Sequence, residues 1–418
     1  MWQSGRGAPE LKTERLYYGD SFLREFEARV FSCAPSGGQF HVVLDRTAFY
    51  PTSGGQPNDT GRFGEAAVVD VMDREDGAIV HVTDRALEMG AVRGVIDWER
   101  RFDHMQQHTG QHLLSAAFVE LFKMQTVSFH LGGESSTIDL AGASLAARQA
   151  EAAERLTNQI IFEDRAVDVR YGTREELAES GVRKEVEREG VLRAVSVEKF
   201  DLQPCGGTHV TRTGQVGLVL LRKIDRQKQN WRVEFVCGGR AMRAARGDYA
   251  ALNEAARLLT CGQPEVPAML GKALEERKQA QRSLQFSMEE LAGHAAQELL
   301  RGAEGGATRV VVRVFDEAEP AYLRMVATRL SAEPGVQALL ATRGPGLRSG
   351  QAGGHVVFAQ SPGLAADMNA LLREALHAAG GKGGGTRDFA QGSVPDASRV
   401  EMIVAAAATR LREAAGLV

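Results

Sequence analysis

Two histidines four residues apart, His108 and His112, are answered far along the chain by Cys205-Gly206-Gly207-Thr208-His209, so a fold that uses both pairs must bring remote segments to one point. On a helix, an i, i+4 pair projects from one face, and both imidazoles can reach a single ion. Gly206 and Gly207 disfavour helix and permit a tight turn that gathers the Cys205 thiolate and the His209 imidazole. Three nitrogen donors and one sulfur suit zinc. Taken singly, each pair is a common pattern without metal meaning; the combination carries the reading. His104 and His130 lie nearby but off the pattern and read as polar groups flanking the site.

The 418 residues exceed one ordinary core and call for several domains. With 43% hydrophobic, 25% charged and 6% aromatic residues the composition is that of a globular protein. No apolar run is long enough to cross a bilayer and no secretion signal opens the chain, which points to the cytoplasm. Four cysteines, none spaced as CxxC, make no disulfide framework. The net charge of −4 announces no nucleic acid globally. Locally, Arg222, Lys223, Arg226, Lys228 and Arg232 cluster, followed by Arg240, Arg243 and Arg246; such a run is either a solvated face or a phosphate contact.

The pattern predicts an α+β multidomain protein. Residues 1–95 read as a small N-terminal β-barrel, from β-rich runs at 42–44, 67–71 and 79–82 bounded by turn residues. Between two of these runs lies the loop Pro51–Gly61, whose glycines allow its backbone, Thr52, Ser53 and Gln56 to approach a ligand; the alternative is a plain turn. Residues 96–239 read as an α+β domain holding all four donors, with His108 and His112 on a helix from Trp98 to Phe122 and paired strands at 216–221 and 231–236 flanking the basic turn. Residues 240–302 read as a helical hairpin broken at Cys261-Gly262-Gln263-Pro264. Its second arm carries a heptad seam (Leu270, Leu274, Leu284, Met288, Leu291, Ala295) interrupted by Arg277 and Gln281. Residues 303–418 read as α/β, and within them the glycine run 380–385 with Lys382 and Arg387 is either a flexible connection or a backbone nest for phosphate.

Together the segments 47–57, 108–112, Ser128-Phe129-His130-Leu131-Gly132, 205–209 and 381–385 resemble the alanyl-tRNA editing proteins, in the long form with a C-terminal extension, which are similar to the editing and C-terminal domains of alanyl-tRNA synthetase. The resemblance runs from about Thr13 to the end; the first twelve residues match nothing we can name. It implies hydrolysis in trans of mischarged tRNA(Ala), chiefly Ser-tRNA(Ala) with Gly-tRNA(Ala) as a second substrate. It further implies Zn2+ on His108, His112, Cys205 and His209, and the loop Thr52–Gln56 reaching into the editing pocket. The C-terminal domain is implied in tRNA contact and in a homodimer that also uses the hairpin. Arg222, Lys223, Arg226, Lys228, Lys382 and Arg387 are the expected tRNA contacts.

The chemistry is coherent with that resemblance. Serine adds only a hydroxyl to alanine, and a small synthetase pocket rejects it by about a hundredfold, so a second, hydrolytic site is needed. Thr52 or Gln56 is the expected partner of the seryl hydroxyl, and Gln56 is alternatively the holder of the attacking water. Four protein ligands, however, describe a closed structural zinc, whereas a catalytic zinc keeps a position open. The competing readings are therefore a non-catalytic tRNA-binding protein with a structural zinc and an editing domain of the threonyl type. A zinc peptidase is disfavoured, because His108-Thr109-Gly110-Gln111-His112 lacks the glutamate of HExxH enzymes.

Overall fold

The computed structural model describes residues 12–183, 190–303, 306–344 and 353–414. Of the opening stretch without resemblance, only Lys12 is therefore described. The chain divides at Ala255 into two compact units.

In the first unit, six strands close into a barrel in the order 25–36, 39–44, 79–83, 66–73, 61–63 and 90–96. The expected barrel is thus present. Alternating side chains fill its interior with Phe26, Val30, Val42, Leu44, Phe49, Phe63, Val71 and Ile79. The barrel leads directly into helix α1 (Trp98–Phe122), whose start is capped by Asp97 accepting from the Arg100 amide. Met105, Leu113, Leu114, Ala117 and Phe118 of α1 pack with α2 (Ala147–Phe162) on a four-stranded antiparallel sheet, ordered 219–227, 230–237, 136–141 and 126–131. Gly110 sits mid-helix for a steric reason: a Cβ there would stand 2.3 Å from Cys237 Sγ, so only glycine lets α1 lie this close to the sheet. A three-stranded sheet (167–172, 192–197, 201–204) with the short helix α3 (Arg174–Glu179) carries the chain to Cys205. Strands 136–141, 192–197 and 201–204 were not read as elements in the sequence, being short.

The loop 51–60 is no plain turn. Ser53 and Gln56 pair through both backbone hydrogen bonds, with Gly54 and Gly55 at φ +56° and +86° between them. The Leu131 amide then donates to the Gly55 carbonyl at 3.0 Å, and a Cβ on Gly55 would meet the Phe129 carbonyl at 2.7 Å. The other end is locked by Asp59, which is fully buried with Arg101 of α1 and also accepts from the Tyr50 amide at 2.6 Å. Breaking that buried pair would leave one uncompensated charge, at a cost of roughly 3–5 kcal/mol.

Helix α4 (Gly238–Leu259) runs across the division. The second unit starts at Ala256 near the end of α4, and a short 3-10 turn at Gln263–Glu265 then leads into helix α5 (Val266–Arg301). Pro267 stands in the first turn of α5, where its missing amide costs nothing. Along α5 the seam residues Leu270, Leu274, Leu284 and Leu291 are exposed, while Ala292 and Ala296 pack on α6 (Pro320–Ala332). A five-stranded sheet follows, ordered 309–315, 336–342, 354–360, 389–394 and 382–385, its first pair parallel and the rest antiparallel. Period-two alternation splits it cleanly: Val311, Ala338, Leu340 and Val357 face α5 and α6, whereas Val310, Leu339, Ala341 and Phe358 face α7 (Met368–His377) and α8 (Val400–Ala414).

The glycine run corrects one expectation. Lys382–Gly385 is an edge strand paired with 389–394, neither a flexible connection nor a backbone nest. A Cβ on Gly383 would lie 2.7 Å from the Gln391 carbonyl and from Leu376 of α7, so the glycines serve close packing of helix on sheet.

Candidate metal centre

Helix α1 presents His104, His108 and His112 one turn apart, and the two-glycine turn after strand 201–204 brings Cys205 and His209 against the last two. The ligand atoms of His108, His112, Cys205 and His209 all lie within 4.8 Å of one another. Cys205 Sγ stands 3.4 Å from His108 Nε2 and 3.3 Å from His209 Nε2. Zinc's usual bond lengths give tetrahedral edges of about 3.3–3.8 Å, which the two Cys205–histidine spacings match. The closeness depends on Gly207, where a Cβ would lie 2.2 Å from His108 Cε1.

His108 and His209 are each aimed by a hydrogen-bonding partner on the other nitrogen, and His112 by a charged neighbour. His108 Nδ1 lies 2.8 Å from Gln56 Oε1, and His209 Nδ1 lies 3.1 Å from Thr109 Oγ1. His112 Nδ1 faces the Asp201 carboxylate at 3.4 Å, which Arg183 in turn holds at 2.7 Å. All three rings thus turn Nε2 toward the common point, the arrangement that fixes tautomer and strengthens a metal ligand. Arg193 secures the turn itself, donating from Nη1 to the carbonyls of Cys205 (2.6 Å) and Gly207 (3.0 Å).

The electrostatics agree. Burial alone would raise the Cys205 thiol, but the adjacent His108 and His209 and hydrogen bonds from His108 and His112 hold it well below its ordinary range, as a thiolate. Burial pushes His209 down to about 3, which keeps it neutral. Burial also opposes charge on His112, yet Asp201 and Cys205 outweigh it and raise the ring to about 9, so an ion bound there would displace the ring's proton. That anionic surrounding attracts a cation.

Beside the cluster opens a cavity of about 320 Å³, walled by Tyr50, Ser53, Gly54, Gln111, Ser128, Phe129 and Gln203. Burial and the Cys205 charge keep Tyr50 a neutral phenol, its hydroxyl donating to the Ser53 carbonyl at 3.2 Å. Gln203 Oε1 is buried and meets no hydrogen-bonding partner among the described residues.

The structure sorts the expected site residues. His108, His112, Cys205 and His209 come together, and Ser53 reaches the cavity wall. Gln56, expected to hold water or the seryl hydroxyl, lies behind His108 and is not among the residues walling the cavity. Fully buried, it accepts from His108 and from the Thr208 amide (3.2 Å), and donates to Thr208 Oγ1 (2.8 Å). Thr52 is exposed away from the cavity, its hydroxyl accepting from the Asn58 amide at 3.0 Å. Of the basic residues, Arg222 pairs with Asp248 and Lys223 with Asp225, Arg226 lies 5.9 Å over Trp231, and Lys228 occupies the hairpin turn at φ +55°. Arg387 donates to the Ala365 carbonyl at 3.0 Å, and Lys382 lines a surface cleft with Arg324 and His355. Thr109, Thr208, Arg183, Arg193, Asp201 and Gln203 escaped the sequence reading. The two threonines lie inside the motifs and were findable as orienters; the others have no local signal.

Three family models match the chain: tRNA synthetases class II (A) over residues 21–100, the Threonyl and Alanyl tRNA synthetase second additional domain over 192–234, and the DHHA1 domain over 307–413. The alanyl-tRNA editing protein AlaX-L of Pyrococcus horikoshii is 30% identical over 400 residues, spanning 91% of this chain and 94% of the relative. The chain belongs to the alanyl-tRNA editing proteins. The mouse (Mus musculus) family member Aarsd1 is 32% identical over 332 residues, covering 75% of this chain and 80% of its own. The alanine–tRNA ligase of Pyrococcus abyssi is 32% identical over 418 residues, but the match spans only 43% of that larger protein. The second model, at 192–234, contains Cys205 and His209, whereas His108 and His112 lie outside all three matches. Among the described residues no helix is long and apolar enough to cross a membrane.

Proposed function

We propose that this chain edits tRNA(Ala) in trans, hydrolysing the ester of mischarged Ser-tRNA(Ala) and, as a second substrate, Gly-tRNA(Ala). The observation that carries the reading is the convergence of four soft and borderline donors beside a cavity of amino-acid size, in a chain of this family. Zinc is the ion that His108, His112, Cys205 and His209 fit. When bound, it supplies positive charge at the wall of the cavity, where an ester carbonyl gains negative charge during hydrolysis.

The protein's own groups do the rest. An activated ester needs positioning more than a strong nucleophile, and Tyr50, Ser53 and Phe129 shape the chamber that holds it. Gln203 Oε1 is our acceptor for the seryl hydroxyl, because a buried carbonyl oxygen without a partner gains a bond from serine that alanine does not offer. A site that hydrogen-bonds a hydroxyl rejects the analogue lacking it by about 10⁴ or more, which is the discrimination required. Lys382, Arg226 and Lys228 remain our tRNA contacts; the exposed seam of α5 is our homodimer contact.

The filled four-donor set favours a second reading, a tRNA-binding protein with a structural zinc. Incubation with Ser-tRNA(Ala), Ala-tRNA(Ala), Ser-tRNA(Ser) and Ser-tRNA(Thr) separates the readings. Editing predicts release of serine from the first alone. Binding without turnover refutes editing, and cleavage of a seryl ester on tRNA(Thr) in preference to tRNA(Ala) moves the assignment to the threonyl type.

A further inference from the structure

Along the N-terminal half of α1, on residues the metal cluster does not use, lies a second cleft of about 820 Å³. Its wall carries Trp98 and Phe102, whose rings stack at 5.6 Å and 29°. Arg24 sits 4.1 Å over the Trp98 ring and Phe22 braces both rings, so the platform is ordered in advance. Arg240 forms the floor, only 6% exposed, bonded through Nε (2.9 Å) and Nη2 (2.6 Å) to Asp103 and through Nη1 to the Gly132 carbonyl (2.7 Å). That pair cancels its own charge.

Asp97 is occupied as the helix cap and as acceptor for Thr60 at 3.1 Å. Two guanidinium groups remain open to the cleft: Arg100, tethered only through Nε to the Asn58 carbonyl (2.9 Å), and Arg243, which has no carboxylate partner among the described residues. Glu99 is the acid left open at the rim. His104, 3% exposed, lines the same cleft, and its Nδ1 meets no hydrogen-bonding partner among the described residues. A buried ring nitrogen left unpaired at a cleft calls for a ligand group.

The geometry points to this cleft as the seat of a single-stranded nucleotide, namely the unpaired RNA next to the ester. The aromatic platform takes the face of a base, the two open guanidiniums take its phosphate, and His104 Nδ1 bonds a base edge or a ribose hydroxyl. A duplex offers no free base face to such a platform. His104 stands one turn, about 6 Å, below His108 on α1, and Trp98 about 15 Å below it, so the cleft continues away from the metal cavity in the direction a substrate's strand must leave. This inference rests on the reading of an aminoacylated tRNA as substrate.

The test uses the full chain and two fluorescent hairpin RNAs without an amino acid, one blunt and one ending in an unpaired 3′ CCA. The native protein is expected to bind the overhang at least about fivefold tighter, the lower end of the range for one stacked base. Arg243→Glu, on the exposed face of α4, and Gly133→Leu, which puts bulk into the cleft from a position with open space around its Cβ, are each expected to erase that preference. Metal content and melting temperature equal to the native protein establish that the variants fold. Equal binding of both RNAs by the native protein, or a preference retained in either variant, overturns the assignment. Since no ester is involved, absence of hydrolysis would sink the proposed activity while leaving this result to stand or fall separately.

Discussion

Replacing Gln56 separates the two roles that its position permits. Its side chain makes three hydrogen bonds, to His108 Nδ1 (2.8 Å), the Thr208 amide (3.2 Å) and Thr208 Oγ1 (2.8 Å), with no exposure. Gln56→Ala strands the His108 N–H and the Thr208 N–H in a buried space, at about 1–3 kcal/mol each. Part of that loss appears as stability. The part that frees His108 to rotate appears as metal affinity, where loss of an outer partner costs about 10–100-fold, or about 1.4–2.7 kcal/mol. Gln56→Glu keeps an acceptor for both N–H groups, and Thr208 Oγ1 can donate to it, so its zinc affinity stays at or above the native value. Competition with a chromophoric chelator measures both variants, with circular dichroism as the control for folding. Native zinc affinity in Gln56→Ala, with deacylation abolished, would refute the positioning role and restore Gln56 as a group that touches substrate or water.

Cys205→Ala is expected to abolish stoichiometric zinc, by elemental analysis, together with deacylation; retained zinc would contradict the ligand set. Lys382→Ala is expected to weaken tRNA binding and to lower the slope of log K against log salt by about 1, with zinc content unchanged. His81, fully buried in the barrel between Thr47 Oγ1 (2.8 Å) and the Val42 carbonyl (3.2 Å), is pushed down to about 4, burial outweighing the Val42 bond. The unfolded ring binds the proton first, so stability on the order of 3 kcal/mol is present above pH 6.5 and is lost as pH falls from 6.5 to about 4. Denaturation midpoints at pH 7 and 4.5 should therefore differ more for the native protein than for His81→Gln; equal differences would exclude a neutral buried His81.

Sequence alone determined what depends on local spacing. The i, i+4 histidines imply one helix face, the double glycine implies a turn, and alternation marks barrel and sheet strands, so the donors, the helices and the closed barrel were legible. Tertiary structure decided what depends on residues remote in the chain meeting. Asp201, Arg183 and Arg193 act because strand 201–204 meets α1 and strand 192–197 pairs beside it, which no pattern around those residues encodes. Gln56 looked free in a glycine loop, yet folding carries that loop across to strand 126–131 and commits every polar atom of its amide to His108 and Thr208. The C-terminal glycines read as a flexible connection or a phosphate nest, and the crossing of α7 over strands 382–385 and 389–394 made them a packing surface instead. Local sequence sets which conformations a segment can take, and the groups that satisfy a buried polar atom are chosen only when distant segments close on one another.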